Sequence, residues 1–191
     1  AAGSNAIGDS FRLLQLGKAD AMICGGAEAP VTYELLRTWE AMGVLSRSKE
    51  TPERVCKPFA MDRDGFVLSE GAAMIVLEVE ESCTRRNQSP IAELIGFASN
   101  CDAESLTSPE LEGVSHAIQK ALKDAEISPI DVDCINLHGT GTKLNDQTEG
   151  AAIKKIFDDR IPLCSASKSQ LGHSMGAASA IEAVVSVLSI Q

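Results

Sequence analysis

The sequence has 191 residues, of which 44% are hydrophobic and 23% are charged, so it can bury a sizeable core. Aromatic residues make up only 4%, so that core must be built from Ala, Val, Ile and Leu. A formal net charge of −10 argues against a nucleic-acid partner, because phosphate binding requires clustered Lys and Arg. No membrane span is expected, since the longest apolar stretch, 180–190, is too short and contains Glu182.

The cysteines indicate a reducing compartment. None of them forms a C-x-x-C pair, and several lie within apolar runs, so five or all six are predicted to be small buried side chains in a cytosol-like environment. They are Cys24, Cys56, Cys83, Cys101, Cys134 and Cys164. The sequence opens without Met and stops within a predicted helix, which is the pattern expected of a piece of a longer protein.

The first third of the chain mixes helix and strand without a regular order. Apolar spacing predicts a helix over 4–18, followed by a turn and a short strand that ends at Gly25 and Gly26. A second helix is predicted over 35–42. The polar segment 46–63, with two prolines, is predicted to be an ordered loop.

The remaining elements alternate more regularly. Two strands are predicted, over 72–79 and 91–97, and the polar segment 102–112 is predicted to be a loop. The chain then continues as helix, strand, helix, strand and helix, an order typical of a layered α/β fold. These five elements are predicted over 113–125, 134–137, 146–157, 161–166 and 175–190.

Two of the three histidines follow strands. His138 ends the strand 134–137, and His173 follows the strand 161–166 after a short loop, whereas His116 lies in a helical stretch with a surface or packing role. A right-handed strand–helix–strand crossover makes the two strands parallel, and both histidines then emerge at the carboxyl edge where such sheets bind ligands. We expect the two imidazoles to converge on one small group.

The neighbours of these histidines strengthen the hypothesis of a site. His138 opens the sequence HGTGT, in which glycines leave the backbone accessible and Thr140 and Thr142 offer hydroxyls to an amide-rich ligand. Lys168 lies five residues before His173, in a predicted loop next to a buried strand. A partly buried lysine needs an acidic partner, and Glu182 on the last helix is the candidate.

A different chemistry is suggested by the sequence GHSMG, which fits the G-x-S-x-G pattern of a hydrolase nucleophile elbow with Ser174 as nucleophile. An elbow requires a tight turn directly between strand and helix, but residues 167–170 separate the strand from Gly172. Only 17 residues follow Ser174, and they contain neither Asp nor His. We therefore do not expect Ser174 to be a nucleophile.

Several long motifs, in the same order, make the whole chain resemble the β-ketoacyl-acyl-carrier-protein synthases, condensing enzymes of fatty acid and polyketide synthesis. They are NLHGTGTKLND, SKSQLGHSMGAASAIEA, SNAIGDSFRLLQLGKADAMICGGAEAP and KPFAMDRDGFVLSEGAAMIVLE. The resemblance implies part of a thiolase-like, layered α-β-α-β-α fold, in which 1–98 ends the N-terminal half and 99–191 forms most of the C-terminal half. Lys57 and Ser69 stand where the family usually has Arg and Gly.

By this resemblance, His138 and His173 match the paired catalytic histidines, Lys168 the essential lysine and Glu182 the buried glutamate. Thr140 and Thr142 match positions that bind the pantetheine arm, and Trp39 matches an aromatic residue near the acyl pocket. The implied reaction is a decarboxylative Claisen condensation of a malonyl thioester with an acyl cysteine. Two neutral N–H donors would stabilise the negative charge on the thioester oxygen.

The same resemblance implies an acyl carrier protein as partner, its phosphopantetheine arm as substrate carrier, and no other cofactor and no metal. A homodimer or a ketosynthase/chain-length-factor heterodimer is expected, in the cytoplasm or an organelle matrix. The family's nucleophilic cysteine would precede Ala1 and none of the six cysteines matches it, so the chain alone is not expected to complete condensation. Position 43, where several relatives carry a carrier-docking Arg, is Gly.

Two alternatives to an active synthase stay open at this point. A non-catalytic chain-length-factor subunit shares the fold but lacks the cysteine, and a degradative thiolase uses another cysteine near its C-terminus. The presence of His138, His173 and Lys168 together favours a catalytic synthase over both.

Overall fold

The computed structural model of the protein describes residues 1–105 and 108–191. The chain forms two compact units, each assembled from separate stretches. Unit 1 comprises Ala1–Ala29, Glu70–Ile95 and Ser174–Gln191, and unit 2 comprises Pro30–Ser69 and Gly96–His173. The division into consecutive halves at residue 98 stays a prediction.

Helices and strands of both units are numbered in chain order. The helices are α1 (Ala2–Gln15), α2 (Tyr33–Ala41), α3 (Glu80–Arg85), α4 (Leu111–Asp124), α5 (Lys143–Phe157), α6 (Lys168–Leu171) and α7 (Met175–Ser189). The strands are β1 (Ala21–Glu28), β2 (Gly71–Glu78), β3 (Cys134–Asn136) and β4 (Leu163–Ser165). Short 3-10 helices lie at Pro52–Arg54 and Pro129–Asp131.

Unit 1 is an antiparallel pair of strands, β1 and β2, packed against α1 and α7. Burial alternates along β2, as expected when one face of a sheet is covered. Cys24 of β1 packs with Ile7 of α1 and Ala180 of α7 on that face. Small residues predominate on α7, which lets this helix lie close to the strands.

Unit 2 contains a strand–helix–strand crossover in which β3 and β4 pair in parallel, with Asn136 opposite Ser165. The Leu137 N–H extends the pairing by donating to Ser165 O at 2.7 Å. Leu137 packs with Ile153 and Phe157 of α5 to form the core of the unit. The predicted parallel orientation of these two strands is confirmed, so the residues that follow each strand leave from the same edge.

The strand predicted over 91–97 is wrong, because these residues form no strand in the structure. Leu94 packs against the core of unit 1, which explains the apolar character of the segment. The Phe97 N–H donates to Asp124 Oδ2 at 2.8 Å, a side-chain acceptor, instead of to a neighbouring strand. An apolar run indicates burial, but a strand also requires a backbone partner.

Several boundaries also differ from the predictions. β1 continues through Gly25 and Gly26 to Glu28 instead of ending at the glycines, and α5 begins at Lys143 instead of 146. Lys168 is the first residue of α6 and not part of a loop. Segment 46–63 is largely irregular as predicted, with one 3-10 turn. Of the loop predicted over 102–112, positions 106 and 107 lie outside the described residues, and α4 begins at Leu111.

The prediction that five or six cysteines are buried is also wrong. Cys24, Cys56 and Cys83 are buried, whereas the other three are exposed, and all six are free thiols. Cys134 and Cys164 lie on β3 and β4, where position 134 and all three residues of β4 are open to solvent. Within residues 1–105 and 108–191, no helix is both long and apolar enough to cross a bilayer, and no cluster of metal-ligand side chains occurs.

Gly26 of β1 has no room for a side chain, because α7 lies close to the strand at this point. A Cβ at position 26 would lie 2.9 Å from Gly176 O and 3.1 Å from Ala177 Cα. We expect Gly26→Ala to push α7 away and to lower the free energy of unfolding by about 1–3 kcal/mol, measured by urea denaturation.

Gly150→Ala is the matched control. Gly150 lies in α5, and a Cβ there would make an ordinary 3.5 Å contact with Phe59 Cε1. The free energy of unfolding should therefore be unchanged or rise by up to about 1 kcal/mol. If Gly26→Ala were as stable as the wild type, the close approach of α7 to β1 would be contradicted.

Candidate active site

His138 lies in unit 2 directly beyond β3, at the start of a loop whose backbone is held by a carboxylate of α5. The N–H groups of His138 and Gly139 donate to Glu149 Oε1 and Oε2 at 2.6 and 2.9 Å. Burial raises the pKa of Glu149, while these two N–H donors and the charge of Lys168 act in the opposite direction. Glu149 thus holds the backbone at the point where the chain leaves the sheet, and so positions the His138 side chain.

The backbone of His173 is held by the segment 66–69 of the same unit. The His173 N–H donates to Val67 O at 2.7 Å, and the Ser69 N–H donates to His173 O at 3.1 Å. Phe66 is in turn paired with the 44–46 segment, where its N–H donates to Val44 O at 2.9 Å. These short β-bridges position the second histidine although it lies outside a regular strand.

The two imidazoles lie side by side. Their ring centroids are 5.4 Å apart and the planes are nearly perpendicular, at 89°. Phe66, which is buried, makes an edge contact with His173 at 5.2 Å, and Trp39 packs against Phe66 at 5.7 Å. Each edge-to-face contact contributes about 0.5–1.5 kcal/mol. The four rings form a continuous row from α2 to the HGTGT loop.

Lys168 is the most deeply buried charged side chain near these rings, at 1% exposure. Its Nζ lies 3.4 Å from His138 Nδ1. An ammonium group can only donate hydrogen bonds, so Nδ1 is the acceptor and the proton of neutral His138 resides on Nε2. The contact therefore assigns the His138 tautomer and leaves an N–H donor on the side of the ring away from Lys168.

Both imidazoles are neutral at physiological pH. His138 is exposed as a whole residue, but desolvation of its ring, the positive charge of Lys168 and that of a protonated His173 lower its pKa from 6.5 to about 3. Burial and Lys168 lower the pKa of His173, which is half-buried, to about 4. Two neutral rings can each donate one N–H to a ligand that carries negative charge.

The HGTGT loop also brings its two threonines together. Thr140 is buried, and its Oγ1 lies 2.9 Å from Thr142 Oγ1. The Thr142 N–H donates to Thr140 Oγ1 at 3.3 Å. Both hydroxyls, two and four residues beyond His138, therefore occupy one small polar patch.

Unit 2 thus contains all but one of the residues predicted for the site. Glu182 lies half-buried on α7, in unit 1, and its role stays a prediction. Sequence reasoning missed Phe66, Asp146 and Glu149 as parts of the site. Asp146 and Glu149 are spaced i, i+3 at the start of a helix that follows a glycine-rich loop, a signal that could have identified them.

Ser174 lacks the setting of a nucleophile. β4 ends at Ser165, and α6 separates it from Gly172 and Ser174, so the tight strand-to-helix turn of an elbow is absent in this segment. Ser174 itself is buried at 3% exposure, before the first turn of α7.

The sequence matches known proteins along its full length. The family profiles described as "Beta-ketoacyl synthase, N-terminal domain" and "Beta-ketoacyl synthase, C-terminal domain" match residues 1–82 and 91–191. Nodulation protein E of Rhizobium leguminosarum bv. trifolii is 44% identical over all of this chain and 47% of its own length. The 3-oxoacyl-[acyl-carrier-protein] synthase 2 of Staphylococcus aureus is 43% identical over all of this chain and 48% of its own length.

Solved structures agree with these matches. A type II polyketide ketosynthase in complex with its acyl-carrier protein superimposes with a TM-score of 0.95 and 37% identity, over 98% of this chain and 47% of that one. The ishigamide ketosynthase/chain length factor superimposes with a TM-score of 0.93 and 40% identity, over 100% of this chain and 45% of that one. A β-ketoacyl synthase from Burkholderia phymatum also gives 0.93, at 34% identity, over 97% of this chain and 45% of that one.

The chain belongs to the β-ketoacyl synthase family, and the α/β, thiolase-like fold predicted from its motifs is confirmed. It spans about half the length of the curated relatives that it matches.

The charge of Lys168 should be visible in the titration of its neighbour. In Lys168→Met we expect the pKa of His138 to rise above about 3, because one of the causes that lower it is removed while burial remains. Titration of the His138 ring signals by NMR measures the change. Lys155→Met, which removes an exposed lysine of α5, should leave it unaltered. An unshifted pKa of His138 in Lys168→Met would show that the charge of Lys168 does not contribute to it.

Stability should fall on acidification. Because the pKa values of His138 and His173 are lower in the folded state, the unfolded chain takes up protons first as the pH falls from about 6.5 to about 4. The raised pKa of Glu149 acts in the opposite sense and reduces the slope. Urea denaturation across this range should show a smaller slope for the double variant His138→Gln/His173→Gln. His116→Gln, on the exposed face of α4, should retain the wild-type slope.

Proposed function

We propose that the polypeptide containing this chain is a 3-oxoacyl-[acyl-carrier-protein] synthase, an acyltransferase that joins an acyl thioester to malonyl-acyl-carrier protein by decarboxylative Claisen condensation. The observation that carries the proposal is the pair of neutral imidazoles with centroids 5.4 Å apart beside a buried lysine. The family and the names of relatives support it, including a synthase at 43% identity.

The residues of this chain would act in the malonyl half of the reaction. Breaking the bond between the malonyl carboxylate and its α-carbon releases CO₂ and moves an electron pair onto the thioester, which becomes an enolate. The enolate oxygen would accept hydrogen bonds from one N–H of His138 and one of His173. Donors already in place for this charge lower the barrier because they need not reorganise.

The enolate carbon would then attack the carbonyl of the acyl group held on a cysteine, and the cysteine thiolate would leave. Lys168 would keep His138 neutral and select its Nε2 tautomer through the Nδ1 contact. Glu182 would have a supporting electrostatic role. Trp39, at the far end of the row of rings, would line the acyl pocket.

Binding of the substrate would involve the phosphopantetheine arm of acyl carrier protein, with Thr140 and Thr142 as its hydrogen-bonding partners. We propose that the protein needs no further cofactor and works in the cytoplasm or an organelle matrix. Each subunit would consist of two consecutive thiolase-like halves, and the subunits would form a homodimer or a ketosynthase/chain-length-factor heterodimer. One structural neighbour is a ketosynthase in complex with its carrier protein, and another is a ketosynthase with its chain length factor.

A non-catalytic, chain-length-factor-type subunit is the alternative, since chain length factors occur in similar structures. The juxtaposition of His138, His173 and Lys168 favours the synthase, because a non-catalytic subunit has no need for two neutral donors beside a buried ammonium group. The residue encoded before Ala1 distinguishes the two: Cys supports a synthase, and Gln or another residue supports the partner.

The test is CO₂ release from malonyl-acyl-carrier protein by the complete polypeptide encoded by the gene. We expect release in the wild type and a loss of about 100-fold or more in His138→Ala and in His173→Ala, since one lost donor to a developing oxyanion costs on the order of 10²–10³. His116→Ala is the matched control and should retain wild-type release. Equal activity in all three variants would refute the assignment.

A further inference from the structure

Two carboxylates of α5 hold different parts of the HGTGT loop. Glu149 accepts the N–H groups of His138 and Gly139. Asp146, one turn earlier and buried at 2% exposure, accepts the N–H of Gly141 through Oδ1 at 3.2 Å. The histidine end and the threonine end of the loop are therefore anchored separately.

Asp146 also ties the threonine end to the segment 57–65. Its Oδ2 accepts the Phe59 N–H at 2.7 Å, and Phe59 has a positive φ of 62°, a conformation that needs such an anchor. The Gly65 N–H donates to Gly141 O at 3.1 Å. Gly141 has φ +80°, and a Cβ there would lie 2.8 Å from Gly65 O, so the two backbones approach as closely as glycine permits.

Arg63 completes this connection. Its Nε lies 3.2 Å from Asp146 Oδ2 and also donates to Thr142 O at 3.4 Å. Its Nη1 donates to Ala60 O at 2.8 Å, and its Nη2 to Lys143 O at 3.1 Å. One planar guanidinium thus neutralises the buried carboxylate and bridges the carbonyls of both segments.

We infer that Arg63 is a positioning residue for the Thr140 and Thr142 hydroxyls: it clamps the loop that carries them to the segment 57–65. The inference rests on the proposed function, in which these hydroxyls bind the carrier arm. Lysine cannot replace it, because an ammonium group on a flexible stem could pair with Asp146 but could not reach three carbonyls at once.

The experiment compares Arg63→Lys with the wild type in the complete polypeptide. KM for malonyl-acyl-carrier protein in CO₂ release should rise by about tenfold, the factor that corresponds to one lost hydrogen bond. The kcat should stay within about twofold, because Glu149 and Lys168 still hold His138. Amide hydrogen exchange should accelerate in peptides covering 57–65 and 139–143, and not in α4.

Arg37→Lys is the matched control, since Arg37 lies exposed on α2 and pairs only with Glu40 among the contacts resolved for it. Arg63→Gln, which also leaves Asp146 without its cation, should show a larger effect on KM and on exchange than Arg63→Lys.

Unchanged KM and unchanged exchange in Arg63→Lys would overturn the inference. So would accelerated exchange throughout both units, because Arg63 would then support overall stability and not this loop. If the wild type releases no CO₂, the proposed function fails, and the exchange pattern alone decides whether Arg63 positions the loop.

Discussion

The buried ammonium group of Lys168 beside the His138 ring sets the chemistry that this region can perform. Desolvation of the two rings lowers the pKa of both histidines most, and a positive charge 3.4 Å from His138 Nδ1 disfavours an imidazolium further. The rings are consequently neutral hydrogen-bond donors and not acids. Neutral donors suit an oxygen that acquires negative charge during a reaction.

Keeping two neutral rings together requires rigid support, and each ring receives it from a different part of unit 2. His138 is positioned by the parallel pairing of β3 with β4 and by the Glu149 carboxylate. His173 is positioned by backbone hydrogen bonds to the segment 66–69 and by the edge of Phe66. Hydrogen bonds to a carboxylate contribute about 1.5–3 kcal/mol each, so the loop is held more firmly than an ordinary surface turn.

The HGTGT loop is therefore held at both of its ends. Glu149 anchors its first residues, which carry the imidazole, and Asp146 with Arg63 anchors its last residues, which carry the hydroxyls. All of these contacts lie within unit 2, so they are available in a chain that spans about half the length of its relatives.

The sequence by itself determined the family and the strand–helix–strand order around β3 and β4, and it predicted that His138 and His173 lie close together. These follow from local patterns: apolar periodicity, glycine-rich turns and long motifs. Only the tertiary structure decided that Lys168 is buried against His138, that Glu149 and Arg63 anchor the loop, and that residues 91–97 form no strand. Those facts depend on contacts between residues far apart in the chain. Apolar periodicity indicates whether a residue is buried, but it does not identify the residue that it contacts.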